Sequence, residues 1–583
     1  MSNVRLFLLL AIGLVSLQLW SAWERDYGPP PESESPAATP GTVVEPAALG
    51  DLPAAPSDAP AAEASALPAD VPSDVPAAPT DPTIEPAVVA ESTPLATGQS
   101  VIVSNDVLRL TLSTTGAEIR QAELLTYPVS LERKDVPIKL LDDSLKHYFI
   151  AQTGLRATGP APDHTAPYTA PYSATGERFE LAAGAPSIEV PLTWRDPSGL
   201  LVRKVYSLDR GSFVVNIRHE IVNEGTQPWR GYQYRQMQRV QPPKPSAFAF
   251  NNPELYAYVG AAVYSPEEKF QKLPFDDFKE EPFNRQVAGG WSAMQQHYFL
   301  GAFIPDAAEQ TTYSTAVLDP TGTLPTRFMM RQASPPLDVA PGATGKLQTR
   351  LYLGPKLQSV LPQVAPGLEY TVDYGLITPI AKPLFWVMAQ IHKFVGNWGL
   401  SIIFLTLLVK LAFYKLSESQ YRSMAKMRKI QPKLEALKQR YGDDRQKMAQ
   451  AQMELFKAEK VNPIGGCLPI LLQLPVFFAL YWVIFEAVEL RQAPFFLWIQ
   501  DLSLKDPLYI LPILNVAVMW YTQKLSPSPG MDPVQKRVFQ TMPLIFGVMF
   551  AFFPAGLVLY WLSNGLLGLI QQLVITKRIE SSK

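Results

Sequence analysis

Lys410 stands inside the apolar run SIIFLTLLVKLAFYKL, residues 401–416, with Lys415 at its end. An ammonium ion at the centre of a bilayer costs about 2.5–3.5 kcal/mol on insertion scales. Lys410 therefore either reaches the membrane surface along its own stem or meets something polar inside. Thr406 lies four residues earlier and shares its helical face. Isolated polar residues recur in the other apolar runs: Gln473, Asn515, Ser563, Asn564, Gln571 and Gln572. Polar side chains within spans usually face a bundle interior or a water-filled cavity. Converging, they would line a wet cavity holding one positive charge. The competing account is snorkelling, because Lys410 lies only five residues, about 7.5 Å of helical rise, from Lys415. The residues by themselves leave both readings open.

Other chemistries find little support. The chain has 583 residues, a formal net charge of −2 and one cysteine, Cys467, so an intramolecular disulfide or a cysteine-based metal site is excluded. His147, His164, His219, His297 and His392 show no ligand spacing. There is no phosphate loop of the G-x-x-x-x-G-K-[ST] type and no G-x-S-x-G elbow. The expectation is no metal, no cofactor, no nucleotide and no enzymatic activity.

The elements that must position these residues fall in the last two hundred positions, behind a different kind of chain. Residues 1–27 begin with the apolar run VRLFLLLAIGLVSLQLWSAW, long enough to span a core about 30 Å thick. Bulky Trp20 and Trp23 stand where a signal peptidase needs small residues, so an uncleaved anchor is expected over a cleaved signal. Residues 28–97 are rich in Pro and Ala, carry acids and contain no Lys or Arg. They read as a disordered tether outside the cytoplasm. Residues 98–355 alternate apolar and polar side chains, as in VIVSNDVLRLTLSTTGAEI and SFVVNIRHEIVNEGTQPW, with turn residues between. That period of two predicts a large β-sandwich domain. Within 370–396, Ile380, Leu384, Val387 and Ile391 recur at near-helical spacing and predict an amphipathic interfacial helix; a buried helix of the β-domain is the alternative.

Spans are predicted at about 398–415, 464–485 and 508–525. The apolar stretch 538–576 would be about 58 Å long as one helix, too long for one crossing. Pro554 and Gly556 break it, giving spans 540–553 and 557–576. The loop 416–463 holds about a dozen lysines and arginines and should be cytoplasmic. The loop 486–507 holds only Arg491 and Lys505 and should be outside, whereas Lys536, Arg537, Lys577 and Arg578 should be inside. All four hold only if the last stretch crosses twice. The result is a multi-domain membrane protein of six spans, with both termini cytoplasmic and residues 28–355 outside. The short fifth span implies local bilayer thinning.

The basic loop predicts a helical hairpin. Ser417–Gln420 offers a capping box, and Met424, Met427, Ile430, Leu434 and Leu437 form a seam. Gly442 is a stop, Asp443 a cap, and Met448, Gln452 and Leu455 a second face. A basic hairpin suits either acidic lipid headgroups or a docking partner.

Several strings are specific: NWGLSIIFLTLLVK (397–410), SMAKMRKIQPK (423–433), LFKAEKVNPIGGCLPILLQLPVFFALYW (455–482), VELRQAPFFLWIQDLSLKDPLYILP (488–512) and FPAGLVLYWLSN (553–564). In order and spacing they closely resemble the YidC/Oxa/Alb family of membrane-protein insertases, densely over about 370–578. The anchor, tether and β-rich domain are similar to its Gram-negative type by architecture. The resemblance implies an inner-membrane insertase and folding helper for nascent membrane proteins, working alone or with the Sec translocon. It implies a five-span core, residues 397–578, around a hydrophilic groove open to cytoplasm and lipid. The family's groove carries a positive residue, usually arginine; the matching residue here is Lys410, which keeps the charge and loses the guanidinium fork. Thr406, Gln473, Asn515, Ser563 and Asn564 would be its polar lining. Phe477 and Phe478, with Tyr560 and Trp561, would be the apolar face along which a client slides; ordinary span packing or an interfacial belt is the alternative, more so for Trp561. Membrane lipids, and a ribosome or signal-recognition partner on the basic hairpin, complete the expected contacts.

Three rival functions remain. A secondary transporter would want paired intramembrane acids or inverted repeats, and neither is seen. A tethered sugar-active enzyme would place its activity in the β-domain. A structural assembly factor would be indifferent to the charge of Lys410.

Overall fold

The computed structural model describes residues 98–158, 170–242, 257–318, 325–441, 444–459, 468–525 and 533–581. The expected anchor and tether, with Asp443 and Cys467, lie outside the described residues.

The alternating region folds into two large, mostly antiparallel sheets. One has eleven strands, and its central path runs Arg327–Ala333, Trp229–Arg239, Phe149–Ala157, Glu118–Pro128, Leu108–Ser113 and Ser100–Ser104. The other has nine, with Trp291–Gln295, Phe299–Ile304, Thr344–Pro355, Val214–Asn223, Leu200–Asp209 and Ser187–Arg195 in spatial order. Alternation drives this. In Val214–Asn223 every second residue is buried, so Val215, Ile217 and Ile221 enter the core. The sheets meet tightly: a Cβ added to Gly301 would lie 3.2–3.6 Å from Leu353, Met237 and Phe149. The expected sandwich is therefore present, larger than the usual single pair of small sheets.

Polar groups also bridge the sheets. Lys204, fully buried, donates to the carbonyls of Ala117 at 2.7 Å and Thr153 at 2.5 Å. Arg235 pairs in bidentate fashion with Glu309, at 2.7 and 2.9 Å. His219 Nδ1 lies 2.8 Å from Gln233 Nε2.

Beyond the sandwich the described chain is helical. We label α1 Thr378–Val395, α2 Trp398–Ala412, α3 Tyr414–Tyr441, α4 Arg445–Ala458, α5 Leu468–Glu486, α6 Ile510–Leu525, α7 Pro533–Phe550 and α8 Ala555–Ser581. α1 ends at Gly396 in the left-handed conformation, φ 68°, where glycine escapes the Cβ penalty. Asn397 then caps α2, accepting from Leu400 N at 3.0 Å, while its amide donates to Phe495 O at 3.0 Å. α1 buries Ala381, Phe385 and Met388 against the bundle. Of the expected apolar residues, Leu384, Val387 and Ile391 are partly buried and pack against the core, while Ile380 is exposed, with Leu376, Trp386 and Phe394.

α2 stops at Ala412 and bends by 65° into α3. The bend precedes Ser417, which sits inside α3 and bonds back to Phe413 O at 3.0 Å; the expected capping box at Ser417–Gln420 is not a helix start. In the hairpin, Ile430 and Leu434 are buried with Met427, Leu455 and Phe456 packed on them. The cap of α4 is Asp444, accepting from Lys447 N at 3.0 Å.

The apolar stretch 538–576 is two helices, α7 and α8, broken between Phe550 and Ala555. The break is stitched to the loop between α5 and α6: Ala555 N donates to Leu504 O at 2.6 Å and Gly556 N to Leu502 O at 2.9 Å. By length and hydropathy, one described helix, Ala555–Arg578, can cross a bilayer unaided; the bent pair α2 and the start of α3 forms a second candidate, and Gln473–Glu486 and Arg537–Phe550 are shorter apolar segments.

Candidate functional site

α8 is the hub of the helical region, packing against α2, α3, α5 and α6. Its glycines make the close approaches possible. A Cβ on Gly565 would lie 3.1 Å from Val518 on α6. One on Gly568 would lie 3.6 Å from Lys410 Nζ and 3.8 Å from Tyr421 Oη. Small residues at such crossings let side chains of the facing helix reach across.

Lys410 is thus seated against α8 and is only 8% exposed. Its side chain does not run free along the outside of its own helix. Gln571 donates from Nε2 to the Lys410 carbonyl at 3.3 Å, and Tyr421 from the base of the hairpin donates to Gly568 O at 3.0 Å. Lys410 also occupies the last turn of α2, where unpaired carbonyls favour a cation by about 0.3–1 kcal/mol. Among the described residues no carboxylate reaches its ammonium group. A buried cation without an anionic partner is receptive to one.

The other expected polar residues are placed unevenly. Gln473 Nε2 on α5 reaches Asn564 Oδ1 on α8 at 3.5 Å, a long contact. Thr406 and Ser563 are buried but donate back within their own helices, to Ile402 O and Leu559 O, both at 2.7 Å. Asn515 is buried on α6 with its Nδ2 unbonded, and the side-chain carbonyls of Gln571 and Gln572 are likewise shielded without a donor. The helices carrying Lys410, Gln473 and Asn515 therefore meet on α8, which carries Asn564, while Thr406 and Ser563 have their hydroxyls spent locally.

The four apolar residues do come together. The Phe477 ring lies 4.5 Å from Trp561, 5.3 Å from Phe478 and 5.9 Å from Tyr560. Phe550 of α7 extends the cluster, 5.1 Å from Trp561. This stack lies where α5 meets α8, one to two turns along α5 from Gln473.

Two residues of the site, Tyr421 and Gly568, are missing from the sequence-based set. Gly568 carries a signal, since glycine inside an apolar helix marks a close approach. Tyr421 carries none, because its reach depends on the bend after Ala412. Among the described residues no three His, Cys, Asp or Glu side chains gather where they could hold a metal ion.

Known proteins are similar to this chain over nearly its whole length. Residues 100–387 match the YidC periplasmic domain family, and residues 390–582 match the 60Kd inner membrane protein family. The chain is 45% identical to the membrane protein insertase YidC of Thioalkalivibrio sulfidiphilus over 100% of its own length and 99% of the relative's. It is 43% identical to that of Nitrosococcus oceani, with the same coverage. Among solved structures, an active YidC insertase with its first transmembrane domain resolved matches 82% of this chain and 95% of its own, at 19% identity and a TM-score of 0.37. With two family models covering nearly all described residues and relatives matched end to end, the chain belongs to the YidC family of membrane protein insertases.

Proposed function

We propose that this chain inserts its clients through a hydrophilic groove centred on Lys410, in a six-span topology with both termini cytoplasmic and the β-domain outside. The single observation carrying the reading is Lys410 buried against α8 with no carboxylate beside it among the described residues. A client's acidic or polar tail finds there a counter-charge at the point where hydrocarbon would otherwise oppose it. Thr406, Gln473, Asn515, Ser563 and Asn564 hold water or tail groups along the way. The client's apolar segment slides past Phe477, Phe478, Tyr560 and Trp561 and leaves into lipid. Apolar burial in the bilayer drives the transfer, so no nucleotide is consumed by the chain. The basic hairpin, α3 and α4, meets the ribosome, a signal-recognition factor or acidic headgroups, and clients arrive directly or from the Sec translocon.

The test is depletion of a host's own insertase with complementation by wild type, Lys410→Ala or Lys410→Arg, scoring insertion of a small client with an acidic exported tail. Wild type and Arg are expected to insert it and Ala to lose at least tenfold in rate. Equal insertion by Ala returns Lys410 to a snorkelling side chain.

A further inference from the structure

The end of α5 that faces the β-domain does not finish in a free loop. Phe485 O accepts a hydrogen bond from His297 Nε2 at 3.0 Å, and the two rings stack with centroids 4.8 Å apart. Three residues past the helix, Glu489 Oε1 accepts from Gln358 N at 3.1 Å, just beyond the last strand of the sandwich. Its other oxygen, Oε2, is sealed from solvent and has no hydrogen-bond partner. Arg491 donates from Nη2 to Pro128 O at 2.9 Å and Val129 O at 3.1 Å, and Gln492 donates to Pro128 O at 3.0 Å. Gln492 holds a left-handed φ of 56°, which turns the chain onto that strand end. Lys356 and Glu486, of opposite charge, are both buried in the same junction.

Four hydrogen bonds from two separate strand ends on a five-residue turn exceed what a connecting loop needs. We propose that the turn Val488–Gln492 is a latch by which the β-domain fixes the outer end of α5, with Glu489 and Arg491 as its positioning residues. α5 carries Phe477 and Phe478, so the latch sets where the proposed client path stands relative to α8. The inference rests on that reading for its consequence in insertion, and on the junction geometry for the latch itself.

The chemistry of Glu489 gives the latch a signature. Burial pushes its carboxyl up to about 7. Around it stand Tyr127 of one strand, Tyr352 of another, Tyr374 before α1, and Glu486 and Arg491 of its own segment; Lys356, His297, Tyr298, Asp501 and the Lys272–Asp373 ion pair lie in the same junction. The docked carboxyl holds its proton to higher pH than a free one at 4.5, so the docked form binds more protons between those values. Docking weakens as pH rises through that window, by about tenfold between pH 6 and pH 8. His297 and Lys356, whose pKa values burial lowers to about 3 and about 8, work in the opposite sense. Comparison with Glu489→Gln at each pH isolates the carboxyl.

The experiment is hydrogen exchange on the full chain in lipid nanodiscs, following peptides that cover 356–360 and 487–492. Glu489→Gln is expected to protect both segments more than wild type, by a ratio that grows about tenfold from pH 6 to pH 8. A ratio that stays constant overturns the assignment of Glu489. Arg491→Ala, with Lys410 intact, is expected to expose both segments at either pH and to slow insertion of the acidic-tailed client several-fold. Exposure of the junction with insertion at the wild-type rate overturns the positioning role. A wild type that inserts no client would instead sink the groove reading, leaving the exchange result to decide the latch.

Discussion

At the scale of single residues, the chain tolerates buried charge only where a neighbouring element supplies compensation. Lys410 has the carbonyls of its own helix end and the space over Gly568. Lys204 has three backbone carbonyls, those of Gly116, Ala117 and Thr153. His219, by contrast, has a single side-chain partner, the Gln233 amide at Nδ1, with Nε2 shielded and unbonded. Burial, with Lys204 and Arg235 nearby, holds His219 well below the ordinary histidine range. It stays neutral in the fold and becomes charged only on unfolding. The folded state therefore binds fewer protons below the ordinary value of 6.5, and stability is lost as pH falls from there, by up to about 1.4 kcal/mol per pH unit. His219→Gln is expected to flatten that slope, measured as exchange protection of Val214–Asn223 between pH 7 and pH 5. An unchanged slope would show that His219 is already charged in the fold.

Secondary-structure elements were legible in proportion to how local their causes are. The alternation of Val214–Asn223 and the break at Pro554 are written in neighbouring residues and appear as expected. The capping box at Ser417 also looked local, yet the bend after Ala412 lets α3 begin earlier and swallows it. The seam of the hairpin was visible through Ile430, Leu434 and Leu455, and Phe456 joins it beside Leu455. This core is small, so each member matters. Leu434→Ala is expected to cost about 2–4 kcal/mol locally. Protease nicking within 427–456 should accelerate while the sandwich stays intact; an unaltered rate would mean that the ion pair between Lys433 and Glu459 holds the hairpin.

For the molecule as a whole, the contacts that matter most were invisible in advance. Glu489 meets Gln358 across 131 positions and Arg491 meets Pro128 across 363; no periodicity or motif pairs such distant residues. The candidate site was legible as residue types, because a lysine and isolated amides in apolar helices are anomalous anywhere. Which of them converge depended on glycines in α8 and on helix crossings. The division of labour predicts that removing residues 98–350 leaves the helical far-ultraviolet signal of α1–α8 in place. Exchange at Phe485–Arg491 should nonetheless rise at least tenfold, and an unchanged rate there would show that the core holds α5 by itself.

The stitching of Ala555 and Gly556 to the carbonyls of Leu504 and Leu502 bears on the electrical integrity of the membrane. The first amides of a helix ordinarily recruit water or a capping side chain. Here the loop between α5 and α6 supplies backbone acceptors to the first amides of α8. On the proposed groove and topology, water admitted from the cytoplasmic side around Lys410 would stop at this paired backbone. A groove of that kind would be wet without short-circuiting the proton gradient across the membrane. Vesicles containing it are accordingly expected to hold a pH difference as long as empty ones.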